Sequence, residues 1–74
     1  MNERTLINSI ELQLGKRAVK MEDRFYEDLG AESIDMLHII VEIESQTGIF
    51  IPEEMIPELI TVQDLYHYVT NRQK

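Results

Sequence analysis

The sequence predicts an all-α fold of three amphipathic helices and one short helical segment, with a long loop after the first helix. Three observations lead there. Apolar residues recur at helical spacing in three separate stretches. Capping residues and glycines bracket those stretches. No strand pair, internal repeat or low-complexity segment competes with them.

The first helix spans residues 3–14. Leu6, Ile7, Ile10 and Leu14 fall on one face with polar residues between them. Asn2 or Thr5 caps its start, and Gly15 is a natural stop. Residues 15–32 have no sustained period. Their isolated apolar residues, Val19, Met21, Phe25, Tyr26 and Leu29, suit a loop pinned to the core at intervals. A loop this long is unusual in so small a domain and points to function.

The second helix spans residues 33–47. On a wheel of about 100° per residue, Met36, Ile39, Ile40 and Ile43 share one arc, the expected core face. Asp35, His38, Glu42, Ser45 and Gln46 fill a polar arc. Ile34, Leu37 and Val41 form a second apolar shoulder, split from the core arc by Glu44. The shoulder is either a wide buried face or an exposed apolar strip for docking. Gly48 ends this helix, and Ile49, Phe50 and Ile51 are expected to plug the core.

Pro52 opens a short acidic segment through Ile56, about one turn of helix. Pro57 blocks any long continuation. The last helix covers residues 61–71. Thr61-Val62-Gln63-Asp64 has capping-box spacing. Val62, Leu65, Tyr66 and Val69 make its buried face, and His67 and Tyr68 are peripheral. Arg72 and Lys74 suit a helix C-terminus.

The 74 residues are read as a single domain, 1–74. With no cysteine, no disulfide or thiolate metal site supports it. His38 and His67 are too far apart to suggest a metal cluster, and no metal site is expected. No apolar run is long enough to span a bilayer and no signal peptide opens the chain, so the cytoplasm is the expected location.

Fourteen acids face seven bases, a net charge of -7. Residues 25–71 hold ten of those acids and no Lys or Arg. Such a field repels nucleic acid and anionic membrane, favours a monomer, and attracts basic protein surfaces.

One stretch, Asp28-Leu29-Gly30-Ala31-Glu32-Ser33-Ile34-Asp35, joins the loop to the second helix. It holds a single hydroxyl, Ser33, among Glu27, Asp28, Glu32 and Asp35. Gly30 permits backbone angles that other residues resist. Ser33 sits where a helix begins, and the simplest reading is a helix cap. The sharper reading is a serine that another enzyme modifies, since a helix N-terminus favours a phosphodiester. Self-contained catalysis is unsupported, with no catalytic residue expected: His38 lies five residues on and about 140° around the helix. There is no Gly-rich phosphate loop and no calcium-loop spacing.

Leu29-Gly30-Ala31-Glu32-Ser33-Ile34-Asp35 resembles the modification motif of acyl carrier proteins, usually Leu-Gly-Ala-Asp-Ser-Leu-Asp. Ile51-Pro52-Glu53-Glu54 resembles the family's Ile-Pro-Asp-Glu. Ile60-Thr61-Val62-Gln63-Asp64 resembles the segment before its last helix. The resemblance covers nearly the whole chain and implies an antiparallel four-helix bundle with a long first loop and a short third helix.

It further implies that Ser33 carries 4′-phosphopantetheine, transferred from coenzyme A by a phosphopantetheinyl transferase. Acyl groups then ride as thioesters on the arm, and the protein is not itself an enzyme. Its partners would be acyl-ACP synthetases, ketosynthases or acyltransferases with basic docking surfaces, in fatty-acid, lipid or polyketide-type biosynthesis. By match to the family, Glu32, Ile34, Asp35, Leu37, His38, Val41 and Glu44 are docking positions. Ile39, Ile43, Phe50, Ile51 and Val62 match core positions that line the space for an acyl chain.

Glu32 and Ile34 are conservative departures. His38, Ser45 and Gln46 stand where acids are usual, which suggests a specialised carrier. The alternatives are an acidic helical interaction module without a prosthetic group, or a peptidyl or D-alanyl carrier. Ala31-Glu32 points away from the latter.

Overall fold

The structure is a computed structural model and describes residues 1–73. It contains α1 (Glu3–Leu14), α2 (Ser33–Thr47), a 3₁₀ helix (Glu53–Glu58) and α3 (Val62–Arg72). This is the four-helix bundle expected, with one helix in the tighter 3₁₀ form.

Local chemistry sets the ends. Asn2, rather than Thr5, caps α1: its Oδ1 accepts the Thr5 backbone N–H at 2.8 Å. Gly15 and Gly48 close α1 and α2 in the left-handed conformation, at φ 65° and 72°. Thr61 opens α3 with a reciprocal pair. Its Oγ1 accepts from Asp64 N–H at 3.1 Å, and Asp64 Oδ2 accepts from Thr61 N–H at 3.0 Å. At the far end of α3, the Arg72 guanidinium lies 3.7 Å over the Tyr68 ring. Lys74, the other late cation, lies outside the described residues.

The core forms where three helical faces meet. Leu6 and Ile10 of α1, Met36, Ile39 and Ile43 of α2, and Val62, Leu65 and Val69 of α3 are fully buried with Phe25 of the loop. α1 packs on both α2 and α3. Leu14 and Tyr66, expected inside, are half-buried at the edge of this core. Ser9 is buried too. Its Oγ accepts from Gln46 Nε2 at 2.9 Å, and Gln46 also donates to Glu42 at 2.8 Å. One amide thus joins α1 to α2 and also donates to Glu42, which a carboxylate in its place could not do because it has no donor.

The long loop is held by backbone as well as by apolar residues. Phe25 N–H donates to Ile60 O at 2.9 Å, Val62 N–H to Asp23 O at 3.0 Å, and Gln63 N–H to Met21 O at 2.8 Å. Two otherwise unpaired donors of the first turn of α3 are thereby satisfied by the loop. The Arg24–Thr61 bridge is the short antiparallel pairing that results.

Three expectations need correction. Tyr26 is not a core anchor; it is 46% exposed. Asp28 and Leu29 N–H both donate to Arg24 O, and this turn spaces the inward positions four apart, at Phe25 and Leu29. Phe50 does not plug the core; it is 74% exposed. Ile51 is buried and Ile49 half-buried, so side chains alternate through this short connector and Phe50 takes the outward place. The short helix does not end at Ile56 but runs through Pro57 to Glu58, with no long continuation beyond it. The proline removes one donor, and the segment ends when Leu59 N–H bonds Ile56 O at 3.0 Å.

Candidate prosthetic-group site

The site begins at the joint between the loop and α2. Gly30 has φ 66°, a left-handed angle that costs a residue with a Cβ. Ala31 behind it is buried, and its N–H donates to Phe25 O at 2.9 Å. The chain is therefore fixed on the core just before the helix starts.

Ser33 is not the cap that its position suggested. Glu32 is the N-cap residue and Ser33 the first residue of α2. The Asp35 carboxylate accepts the Glu32 N–H at 2.8 Å, so an acid takes up the capping duty. Among the described residues no hydrogen bond engages the Ser33 hydroxyl, and the residue is exposed. An oxygen nucleophile thus stands free at the positive end of a fifteen-residue helix.

A groove of about 410 Å³ lies beside Ser33. Tyr26 of the loop, Ser33 and Leu37 of α2, and Glu53, Ile56 and Pro57 of the 3₁₀ helix line it. It is mainly apolar, with Ser33, Glu53 and the Tyr26 hydroxyl as its polar groups, the usual make-up of a small-molecule site.

The shoulder of α2 faces solvent. Ile34 is 52% and Val41 62% exposed, with Leu37 half-buried between them. Glu32 and His38 are exposed beside this strip, and Asp35 is half-buried. Glu44 is drawn partly into structure: its Oε2 accepts Ile51 N–H at 2.7 Å. Ile39, Ile43, Ile51 and Val62 lie in the core, whereas Phe50 does not.

Charge near the site is partly compensated. Arg24 reaches Glu27 at 2.9 Å and Asp28 at 3.1 Å. The Arg24 side chain, and then its backbone N–H, hold the Asp28 carboxyl below the usual carboxylate range. Among the described residues no group of three or more His, Cys, Asp or Glu side chains is placed to hold a metal ion. None of the described helices is long and apolar enough to cross a membrane.

Residues 4–69 match the family model described as "Phosphopantetheine attachment site". The acyl carrier protein of Chloroherpeton thalassium is 36% identical over 64 residues, covering 86% of this chain and 80% of that protein. The acyl carrier protein of Campylobacter jejuni strain RM1221 is 38% identical over 64 residues, covering 86% and 83%. That of Treponema denticola is 34% identical over the same length, covering 86% and 82%. The chain belongs to the acyl carrier protein family.

The prosthetic group of this carrier is a covalently attached 4′-phosphopantetheine. Acyl carrier proteins are carriers rather than catalysts and work with partner enzymes of biosynthesis. The residues present fit the group. An attachment through phosphate needs an accessible hydroxyl that has no structural bond to break, and the Ser33 hydroxyl meets that condition. A flexible arm needs apolar surface within reach, and the groove lies beside the same residue.

Two features of the site were not legible in the sequence. Nothing in local spacing marked Tyr26 as a groove wall rather than a core anchor. Gln46 looked like a missing docking acid, and only the buried Ser9 across the helix interface explains it. A serine inside the apolar face of the first helix was the available signal.

Proposed function

We propose that Ser33 is the residue to which 4′-phosphopantetheine is attached, and that residues 1–74 act as one carrier domain without catalytic chemistry of its own. The observation that carries this reading is the free Ser33 hydroxyl at the start of α2, with Asp35 performing the capping in its place. A phosphopantetheinyl transferase moves the group from coenzyme A to that oxygen: the new O–P bond forms as the pyrophosphate bond breaks, adenosine 3′,5′-bisphosphate leaves and the hydroxyl proton is lost. When bound, the arm supplies a terminal thiol that holds acyl groups as thioesters.

This chain's residues position and present. Gly30 and Ala31 fix the loop, so the hydroxyl occupies one place relative to the core. The first-turn dipole of α2 favours the negative phosphodiester. Ile34, Leu37 and Val41 offer partners an apolar strip, with Glu32, Asp35, His38 and Glu44 around it. Apolar burial supplies affinity, and the acids steer basic surfaces toward the strip.

The partners on this reading are acyl-ACP synthetases, ketosynthases or acyltransferases of a cytoplasmic fatty-acid, lipid or polyketide-type pathway. Among the docking positions His38 replaces an acid, and Gln46 serves the helix interface instead. The second helix is correspondingly less acidic, which supports a carrier dedicated to its own pathway. Intact-mass measurement after incubation with coenzyme A and a broad-range transferase tests the attachment. The expected result is a gain of one phosphopantetheinyl group; no gain while a control carrier is loaded overturns it.

A further inference from the structure

Tyr26 is a large aromatic residue that the core does not use. Its neighbours Phe25 and Leu29 are buried, while Tyr26 stands 46% exposed against the groove beside Ser33. The loop that bears it is tightly held. Phe25 is bonded through its N–H to Ile60 O and through its O to Ala31 N–H, and Arg24 O receives both Asp28 and Leu29 N–H. Arg24 also clamps Glu27 and Asp28, the residues that follow Tyr26. The ring is therefore mounted on a stiff turn.

We infer that Tyr26 is a positioning residue for the prosthetic arm: its ring walls the groove in which the arm folds back against Leu37, Ile56 and Pro57. The inference rests on the assignment of Ser33 as the attachment residue. Three observations select the arm as occupant. Ser33 itself lines the groove, so anything joined to its oxygen starts within reach of it. The groove's volume of about 410 Å³ is within the range of roughly 300–1,000 Å³ found for small-molecule sites. Its lining also suits a chain of alternating amide and apolar units, since Leu37, Ile56, Pro57 and the Tyr26 ring are apolar while the Tyr26 hydroxyl and Glu53 are polar. Docking of this kind is an equilibrium, and it shields the terminal thiol for the fraction of time the arm lies in the groove.

The test uses protein loaded with the arm from coenzyme A, with loading verified by intact mass. The readout is the rate at which the terminal thiol reacts with a disulfide reagent such as Ellman's; the chain contributes no other thiol, because it has no cysteine. An arm docked about two-thirds of the time reacts about three-fold faster once the wall is removed. The expected result is that rise in Tyr26→Ala and a rate near wild type in Tyr26→Phe, which keeps the ring. Equal rates in all three loaded proteins overturn the inference and leave the assignment of Ser33 intact. Failure to load overturns both. A second measurement needs no variant. Loading of the wild-type protein is expected to shift the NMR signals of the Tyr26 ring and of the Leu37 and Ile56 methyls, with the Tyr68 ring as the unmoved control. Tyr26 signals that do not move on loading overturn the inference.

Discussion

The Asp35 carboxylate accepts the backbone N–H of Glu32 at 2.8 Å, and this bond leaves Ser33 with no structural duty. A serine at a helix start is ordinarily spent on capping. Here the acid two positions on does that work, and the hydroxyl between the two partners stays available for chemistry.

Asp35→Ala removes the Asp35 half of the capping box while leaving Ser33 in place. The expected loss is about 1 kcal/mol of stability, the usual cost of losing a helix cap. Urea denaturation monitored by circular dichroism reads it. The same variant should load its arm more slowly, because the start of α2 frays around the acceptor oxygen. A variant as stable as wild type would show that the cap carries no weight.

Gln46→Glu tests why an acid is missing from the end of α2. The variant can still accept from the Ser9 hydroxyl, but it loses the donor to Glu42 and places a second carboxylate beside it. Both changes destabilise, by about 1–2 kcal/mol together. The urea midpoint should fall, and Gln46→Ala should cost less because it adds no repulsion.

Ile43 and Val41 lie two residues apart on the same helix with opposite exposures, none for Ile43 and 62% for Val41. Ile43→Ala leaves a cavity and is expected to cost about 2–5 kcal/mol, enough to unfold much of so small a domain. Val41→Ala is expected to change stability by less than about 0.5 kcal/mol. Its effect should fall on partner affinity, measured by titration against the modifying transferase. Similar stability losses in both variants would contradict the assignment of the two faces.

Arg24 holds the Asp28 carboxyl below its ordinary range. A carboxyl with a depressed folded-state pKa adds stability that is present above its unfolded pKa. That stability is lost as pH falls through the folded value. Arg24→Gln should therefore be less stable than wild type at about pH 7, with the gap closing toward about pH 3. The pair is exposed, so the gap is small. Urea midpoints at the two pH values decide it, and a gap that widens in acid would have the wrong sign.

Much of this fold was legible because its boundaries are local. Asn2, Gly15, Gly48 and the Thr61–Asp64 pair act on backbone groups a few residues away, and the periodicity of α2 separated Ile43 from Val41 correctly. The failures have a common physical cause. Whether Tyr26 or Phe25 turns inward, and whether Phe50 or Ile51 does, depends on where distant elements fasten the loop. Gln46 finds its partner thirty-seven residues away, at Ser9. At the site itself, the capping role read for Ser33 was misplaced, since Glu32 is the N-cap residue. Glu32, Ser33 and Asp35 can all supply an oxygen at a helix start, and only the three-dimensional turn at Gly30 decides which one does.

On the proposed reading, Ser33 is free to be modified and dispensable to the fold. The most direct measurement is the intact mass of wild-type and Ser33→Ala protein after incubation with coenzyme A and a broad-range phosphopantetheinyl transferase, paired with thermal unfolding of each. Wild type should gain one phosphopantetheinyl group. Ser33→Ala should gain none, with its stability within about 0.5 kcal/mol of wild type. A Ser33→Ala protein that still gains the group, or one that loses its helical fold, would contradict it.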